Sequence, residues 1–164
     1  MKARVTVSSP RAFEDFTIGL RFRSSRGVTI TAERIKTFAA EFDPQVPHLD
    51  EVMSRKTMFR GLVASGWHTA AVAMRLLVDS DLGLGGQGVG VAVESMRWCR
   101  PVRAGDTLRV EGTVTQVRPS RSRPLAGLVT FALTVCNQHD ETVLEATHVV
   151  LVPRRSGLLA PPAR

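Results

Sequence analysis

The chain has 164 residues, 22 Lys plus Arg against 15 Asp plus Glu, and a formal net charge of +7. Its 43% hydrophobic and 23% charged content fits one folded domain with a sizeable core, and excludes a disordered tail protein. No apolar run approaches the length of a membrane span, and Met1-Lys2-Ala3-Arg4 opens without the apolar stretch of a secretory leader, so the expected compartment is the cytoplasm.

The basic groups are lopsided: 19 are Arg and three are Lys. Between Arg97 and Arg123 seven Arg stand against two acids, Asp106 and Glu111. Arg suits bidentate contacts with phosphate or carboxylate, so a phosphorylated small ligand competes with a merely solvated basic face. Nucleic acid is not expected. No helix-turn-helix or zinc-finger pattern is visible, and a chain without Tyr offers little to stack on bases.

Residues 1–12 show no period and read as a loose arm. Val28-Thr29-Ile30 reads as a short strand end. Thr31 then caps a helix on which Ile35, Phe38, Ala39 and Phe42 share one face. Pro44 and Pro47 stop that helix, so Asp43 to His48 reads as an ordered loop. Gly61 and Gly66 punctuate the next stretch. From Trp67 to Asp79 the chain is a helix former, apolar round most of its circumference, and such a helix is expected to be surrounded by protein. The glycines from Gly83 to Gly90 read as a flexible loop or a frayed strand start.

Four β-rich runs follow: Val89–Trp98, Thr107–Val117, Leu128–Val135 and Val143–Val152. Leu108, Val110, Gly112, Val114 and Gln116 form one alternating set, and Val129, Phe131, Leu133 and Val135 another. Asn137 to Asp140 reads as a hairpin turn. Residues 156–164, with Pro161 and Pro162, read as a loose tail. One long helix ahead of four strands predicts a single α+β domain over 1–164, an antiparallel sheet wrapped around a central helix.

Several residues can carry chemistry. Asp43 and His48 put a carboxylate and an imidazole on one proline-stiffened loop, where they can converge on a common water or proton. The plainer reading has Asp43 capping a turn and His48 packed against Leu49. Gly66 opens the apolar helix, where a free backbone N–H and the positive end of the helix dipole suit an oxyanion. It also serves if only a tight helix start is needed. Ser65 is a cap or a ligand contact. His68 and Arg75 lie seven apart on one side of the helix, marking a pocket side, a subunit contact or, for His68, the core. His139 and His148 have no metal spacing, and no metal site is expected. Cys99 and Cys136 read as small strand residues. The glycine-rich 83–90 string precedes a strand, so it is no dinucleotide loop.

Two stretches carry a resemblance. Phe38 to Asp50 reads Phe-Ala-Ala-Glu-Phe-Asp-Pro-Gln-Val-Pro-His-Leu-Asp, and Phe59 to Trp67 reads Phe-Arg-Gly-Leu-Val-Ala-Ser-Gly-Trp. From Phe13 to Arg155 the chain resembles the MaoC-like (R)-specific enoyl-CoA hydratases and dehydratases, which have the hotdog fold. The first stretch is similar to that family's Asp-x-Asn-Pro-x-His pattern, which makes Asp43 and His48 the expected catalytic pair. The second resembles the segment entering the central helix, and Gly66 matches the glycine whose N–H holds the thioester carbonyl. Gln45 stands in place of Asn, Ser65 in place of the usual His, and two prolines in place of one. These departures bear on substrate choice, and Gln45, Ser65, Trp67 and His68 become possible pocket residues. The resemblance implies syn addition of water to a trans-2-enoyl-CoA, or the reverse dehydration of a 3-hydroxyacyl-CoA. The alternatives are a hotdog thioesterase and a non-catalytic acyl-CoA-binding protein. It further implies no cofactor beyond the CoA of the substrate, and a homodimer or higher homo-oligomer.

Overall fold

A computed structural model describes residues 10–84 and 87–158. Among the described residues there are three α-helices, three short 3-10 turns and six strands. Short strands β1 (Arg21–Arg23) and β2 (Val28–Thr29) precede helices α1 (Ala32–Phe42), α2 (Val46–Leu49) and α3 (Gly66–Val78). Four long strands complete it: β3 (Val89–Trp98), β4 (Thr107–Pro119), β5 (Ala126–Cys136) and β6 (Thr142–Pro153). The sheet is antiparallel in the order β1-β4-β5-β6-β3, with β2 also pairing β4.

The alternating residues explain why the sheet has one apolar face. Leu108, Val110 and Val114 of β4 and Val129, Phe131, Leu133 and Val135 of β5 are buried. They join Leu144, Ala146 and Val150 of β6 in one core with Val72, Ala73, Leu76 and Leu77 of α3. Gly112 sits in the apolar row without a side chain because the ring of Phe22, its partner across β1 and β4, fills that space. Phe22 in turn meets Phe131 edge-on, with ring centroids 5.5 Å apart. An antiparallel sheet packed round one long helix is the α+β hotdog arrangement that the sequence resemblance implies.

Several expectations need correction. A β-bulge between Val114 and Gln116 shifts the register, so Gln116 is exposed and Val117 turns toward the core. Phe42 is 63% exposed although it shares a face with Ile35 and Ala39, because α1 ends there and its ring leans on Phe38, with centroids 5.0 Å apart, instead of entering the core. The segment from Asp43 to His48 is not wholly loop: Val46–Leu49 is one helical turn with Pro47 in its first turn, where a missing N–H costs nothing. β1 escapes the sequence reading because Arg21-Phe22-Arg23 offers a single apolar residue.

The expected loose ends fall mainly outside the described residues, as do Pro161 and Pro162, and Gly85 and Gly86 of the glycine string. Where the arm is described it is tied down. Ala12 is fully buried, and the Arg11 N–H donates to the Gly83 carbonyl at 2.8 Å. At the other end the Arg155 N–H donates to Glu14 at 3.0 Å.

The largest correction concerns α3. Six of its residues are buried, but Trp67, Ala71, Met74 and Val78 form an exposed stripe at helical spacing. The single chain therefore covers α3 on all but one side. Strand β3, at the sheet edge, is exposed on both faces, with Val89, Val91 and Val93 all more than half exposed.

Candidate active site

The first catalytic candidate is set by a helix end. Thr31 caps α1 by accepting the Arg34 N–H, and Asp43 closes the helix by donating its own N–H to the Ala39 carbonyl at 3.0 Å. The chain then turns through Pro44 into α2, which carries His48. An extended segment pins α2 in place. The Val63 N–H donates to the Pro47 carbonyl at 3.0 Å, and the Val63 carbonyl accepts from His48 Nδ1 at 2.9 Å.

That last contact fixes the tautomer. A carbonyl can only accept, so Nδ1 carries the proton and the neutral ring presents its lone pair at Nε2. Nε2 stands 3.5 Å from Asp43 Oδ2, beyond a good direct hydrogen bond. When the ring is in its neutral form two acceptors face one another, an arrangement that suits a water able to donate to both.

Ser65 completes the cluster. Its hydroxyl donates to Asp43 Oδ2 at 2.6 Å, and its oxygen accepts the Trp67 N–H at 3.2 Å, so the residue is cap and site partner at once. Gln45 donates its side-chain amide to Asp43 Oδ1 at 2.6 Å. With the Ser65 and Gln45 donors first and His48 nearby, the Asp43 carboxyl is held below the usual carboxylate range despite partial burial. Asp43 is therefore an anion at neutral pH.

Gly66 is the first residue of α3. Its N–H belongs to the helix's first turn, where no intrahelical acceptor exists. Its missing side chain has a definite reason. A Cβ there would stand 2.8 Å from the indole nitrogen of Trp98, which donates to the Gly66 carbonyl at 2.8 Å.

The remaining predicted residues divide. Trp67 points away from the cluster onto the open side of α3, edge-on to Trp98 at 5.5 Å. With Phe38, Phe42, Ala70 and Ala71 it lines a groove of about 460 Å³. His68 is buried and stacks flat on Phe38, with centroids 4.9 Å apart. Arg75 does not join it, and instead reaches solvent and pairs with Asp79 at 2.8 Å. His148 is a core residue stacked on Phe131, and burial pushes its pKa down. Cys99 is exposed at the end of β3, and Cys136 ends β5. Among the described residues no three His, Cys, Asp or Glu side chains gather as metal ligands do. None of their helices is long and apolar enough to cross a membrane.

Two participants were not visible as such in the sequence. The Val63 carbonyl leaves no trace in residue type. Trp98 closes a β-run with nothing to link it to Gly66. Ser65 was singled out, but its contact with Asp43, 22 positions away, was not.

Comparison with known proteins places these residues in context. A family model described as "MaoC like domain" matches residues 14–137. A MaoC-like dehydratase structure from Rhodospirillum rubrum is 47% identical, covers 88% of this chain and 98% of its own, and superposes with a TM-score of 0.82. The uncharacterized protein YdeM of Bacillus subtilis is 32% identical over 86% of this chain and 98% of its own length. The (R)-specific enoyl-CoA hydratase of Rhodospirillum rubrum is 31% identical over 87% of this chain and 92% of its own.

Proposed function

The chain belongs to the MaoC-like domain family, whose hydratase and dehydratase members it resembles, and on that premise we propose that it adds water to a trans-2-enoyl thioester or catalyses the reverse dehydration. The observation that carries this reading is the Asp43–His48–Ser65 cluster, with the His48 tautomer set by Val63.

The proposed chemistry follows from the protonation states. The thioester carbonyl accepts the Gly66 N–H at the positive end of α3, which draws charge from Cβ and stabilises the enolate-like state. A water donates one O–H to Asp43 Oδ2 and the other to His48 Nε2. His48 takes the proton as the oxygen bonds to Cβ, and the imidazolium returns it to Cα on the same face, giving syn addition. Asp43, held below the usual carboxylate range by its Ser65 and Gln45 donors, is a poor proton acceptor, and its charge orients the water and steadies the transient imidazolium. The step balances with one water and asks for no metal or redox cofactor.

The same reading assigns the basic run to the CoA phosphates. Trp98 donates to Gly66, the Ala64 N–H to Val102 and Arg103 to Phe59, so the segment carrying Arg97, Arg100 and Arg103 lies beside the entrance to α3. The working unit in this reading is at least a homodimer, supported by the bare α3 stripe and the β3 edge. Its compartment is the cytoplasm, where CoA thioesters are handled.

The test is loss of enoyl-thioester absorbance with crotonyl-CoA and longer enoyl-CoAs, run beside an assay for free thiol. Absorbance loss without thiol release is the expected result. Thiol release in step with turnover would replace the proposal with a thioesterase. Binding of CoA esters with neither signal would replace it with a non-catalytic binding protein.

A further inference from the structure

Gln45 is tied to both members of the Asp43–His48 pair. Its backbone N–H donates to the Asp43 carbonyl at 2.7 Å, and its own carbonyl accepts the His48 N–H at 3.0 Å. Its side-chain amide donates to Asp43 Oδ1 at 2.6 Å. The first two contacts belong to the backbone and are open to other residue types. The third depends on the side chain.

Two ordinary roles do not account for that side chain. Gln45 stands at the N-cap of α2, where a side chain usually accepts the N–H of the second or third helical residue. Here the second is Pro47, which has no N–H, and the third is His48, whose N–H already goes to the Gln45 carbonyl. The Gln45 side chain accordingly makes no cap bond. Core packing does not account for it either, because Gln45 is exposed. What remains is the bond to Asp43.

Geometry gives that bond its effect. The Asp43 carboxylate takes a donor on each oxygen, Gln45 on Oδ1 and Ser65 on Oδ2, both at 2.6 Å. The terminal torsion of an Asp side chain is broad, and a donor on each oxygen fixes the carboxylate plane. The fixed plane keeps Oδ2 turned to His48 Nε2 at 3.5 Å, and His48 is the titratable group that faces it. Donors to the charged form also favour that form. Ser65 first and Gln45 second hold the Asp43 carboxyl low, against its partial burial.

On the hydratase reading, on which this step rests, we infer that Gln45 is a positioning residue: its amide holds Oδ1 of Asp43 so that Oδ2 stays aimed at the water shared with His48, and it makes no contact with the thioester.

Carboxyl-carbon NMR titration of Asp43 in wild type, Gln45→Met and Gln45→Glu tests this without relying on turnover. Met keeps the reach and removes the donor. Glu keeps the reach and sets a second carboxylate against the first. The Asp43 midpoint is expected to rise in Gln45→Met and to rise further in Gln45→Glu. With crotonyl-CoA or a longer enoyl-CoA, Gln45→Met should lower kcat about tenfold or more and leave KM unchanged. An Asp43 midpoint that does not move in Gln45→Met overturns the inference. So does wild-type kcat in that variant, and so does a raised KM with kcat unchanged, which would make Gln45 a substrate contact. A fall in kcat matched by a loss of folded protein overturns it as well. Failure of the wild type to hydrate any enoyl-CoA, with the Asp43 midpoint moving as expected, removes the hydratase reading and leaves the hold of Gln45 on Asp43 standing.

Discussion

Nε2 of His48 and Oδ2 of Asp43 face each other at 3.5 Å, and the same Oδ2 already accepts the Ser65 hydroxyl at 2.6 Å. The carboxylate is thus shared between a fixed donor and a site that a water can bridge. This relationship leads to predictions that can be measured on purified protein.

Asp43→Asn and His48→Ala are each expected to lower turnover of an enoyl-CoA by roughly 10²-fold or more, the usual worth of a positioned proton-transfer group. The double variant should be little worse than either single one, because both side chains serve one water. Thermal midpoints recorded on the same samples separate chemistry from folding. A folded variant of either kind with wild-type turnover ends the assignment of the pair.

Ser65→Ala removes two contacts at once. Loss of the cap on the Trp67 N–H should cost about 1 kcal/mol of stability. Loss of the hydroxyl on Asp43 lets its pKa rise toward the ordinary value of 3.8. Because Asp43 has a lower pKa folded than unfolded, its contribution to stability is present above 3.8 and fades as pH falls from there through the lowered native value. The variant should show less of that acid loss. Chemical denaturation of wild type and variant from pH 7 down to pH 3 checks both the lost cap and the weaker acid dependence.

Gly66→Ala places a methyl 2.8 Å from the Trp98 indole nitrogen. Overpacking of this kind costs about 1–3 kcal/mol, and it shifts the first turn of α3 that carries the Gly66 N–H. Activity should fall with the stability. Trp98→Leu in the Gly66→Ala background should recover part of the stability, because the clash is with that ring. A double-mutant cycle showing no coupling between positions 66 and 98 contradicts this packing account.

The chain should sediment as at least a dimer. Ala71→Asp and Met74→Glu place charges in the bare stripe of α3 and should shift the protein toward monomer. Sedimentation at micromolar concentration giving only a species near 17.9 kDa for the wild type counts against it.

The long strands were legible because alternation is a direct record of a half-buried sheet. Val129, Phe131, Leu133 and Val135 all lie in the core as the pattern requires. The pattern misled where geometry broke its period, as at the bulge that turns Gln116 outward. It misleads again on α3, where apolar residues round most of the circumference imply a helix surrounded by protein. Trp67, Met74 and Val78 stay exposed in one chain, since hydropathy does not say which molecule supplies the cover. In the site, Asp43 and His48 were visible because five positions separate them on one short segment. Ser65, Val63 and Trp98 act through contacts across 22, 15 and 32 positions, which only the fold brings together.

The order of strands in the sheet has a consequence for how the chain acquires its structure. β3 is the first long strand in sequence, yet its partner is β6, the last. During synthesis β3 and α3 leave the ribosome well before the strand that pairs with the one and helps bury the other. β4, β5 and β6 join through successive hairpins and can zip in sequence, whereas β3 must wait for β6 and then close a loop that contains both β4 and β5. Until then Val91 and Val93 lie on an unpaired strand beside an unfinished core. The nascent chain is therefore most exposed to wrong pairing in the interval between emergence of β3 and completion of β6, and a chaperone that shields apolar strands would act on it there.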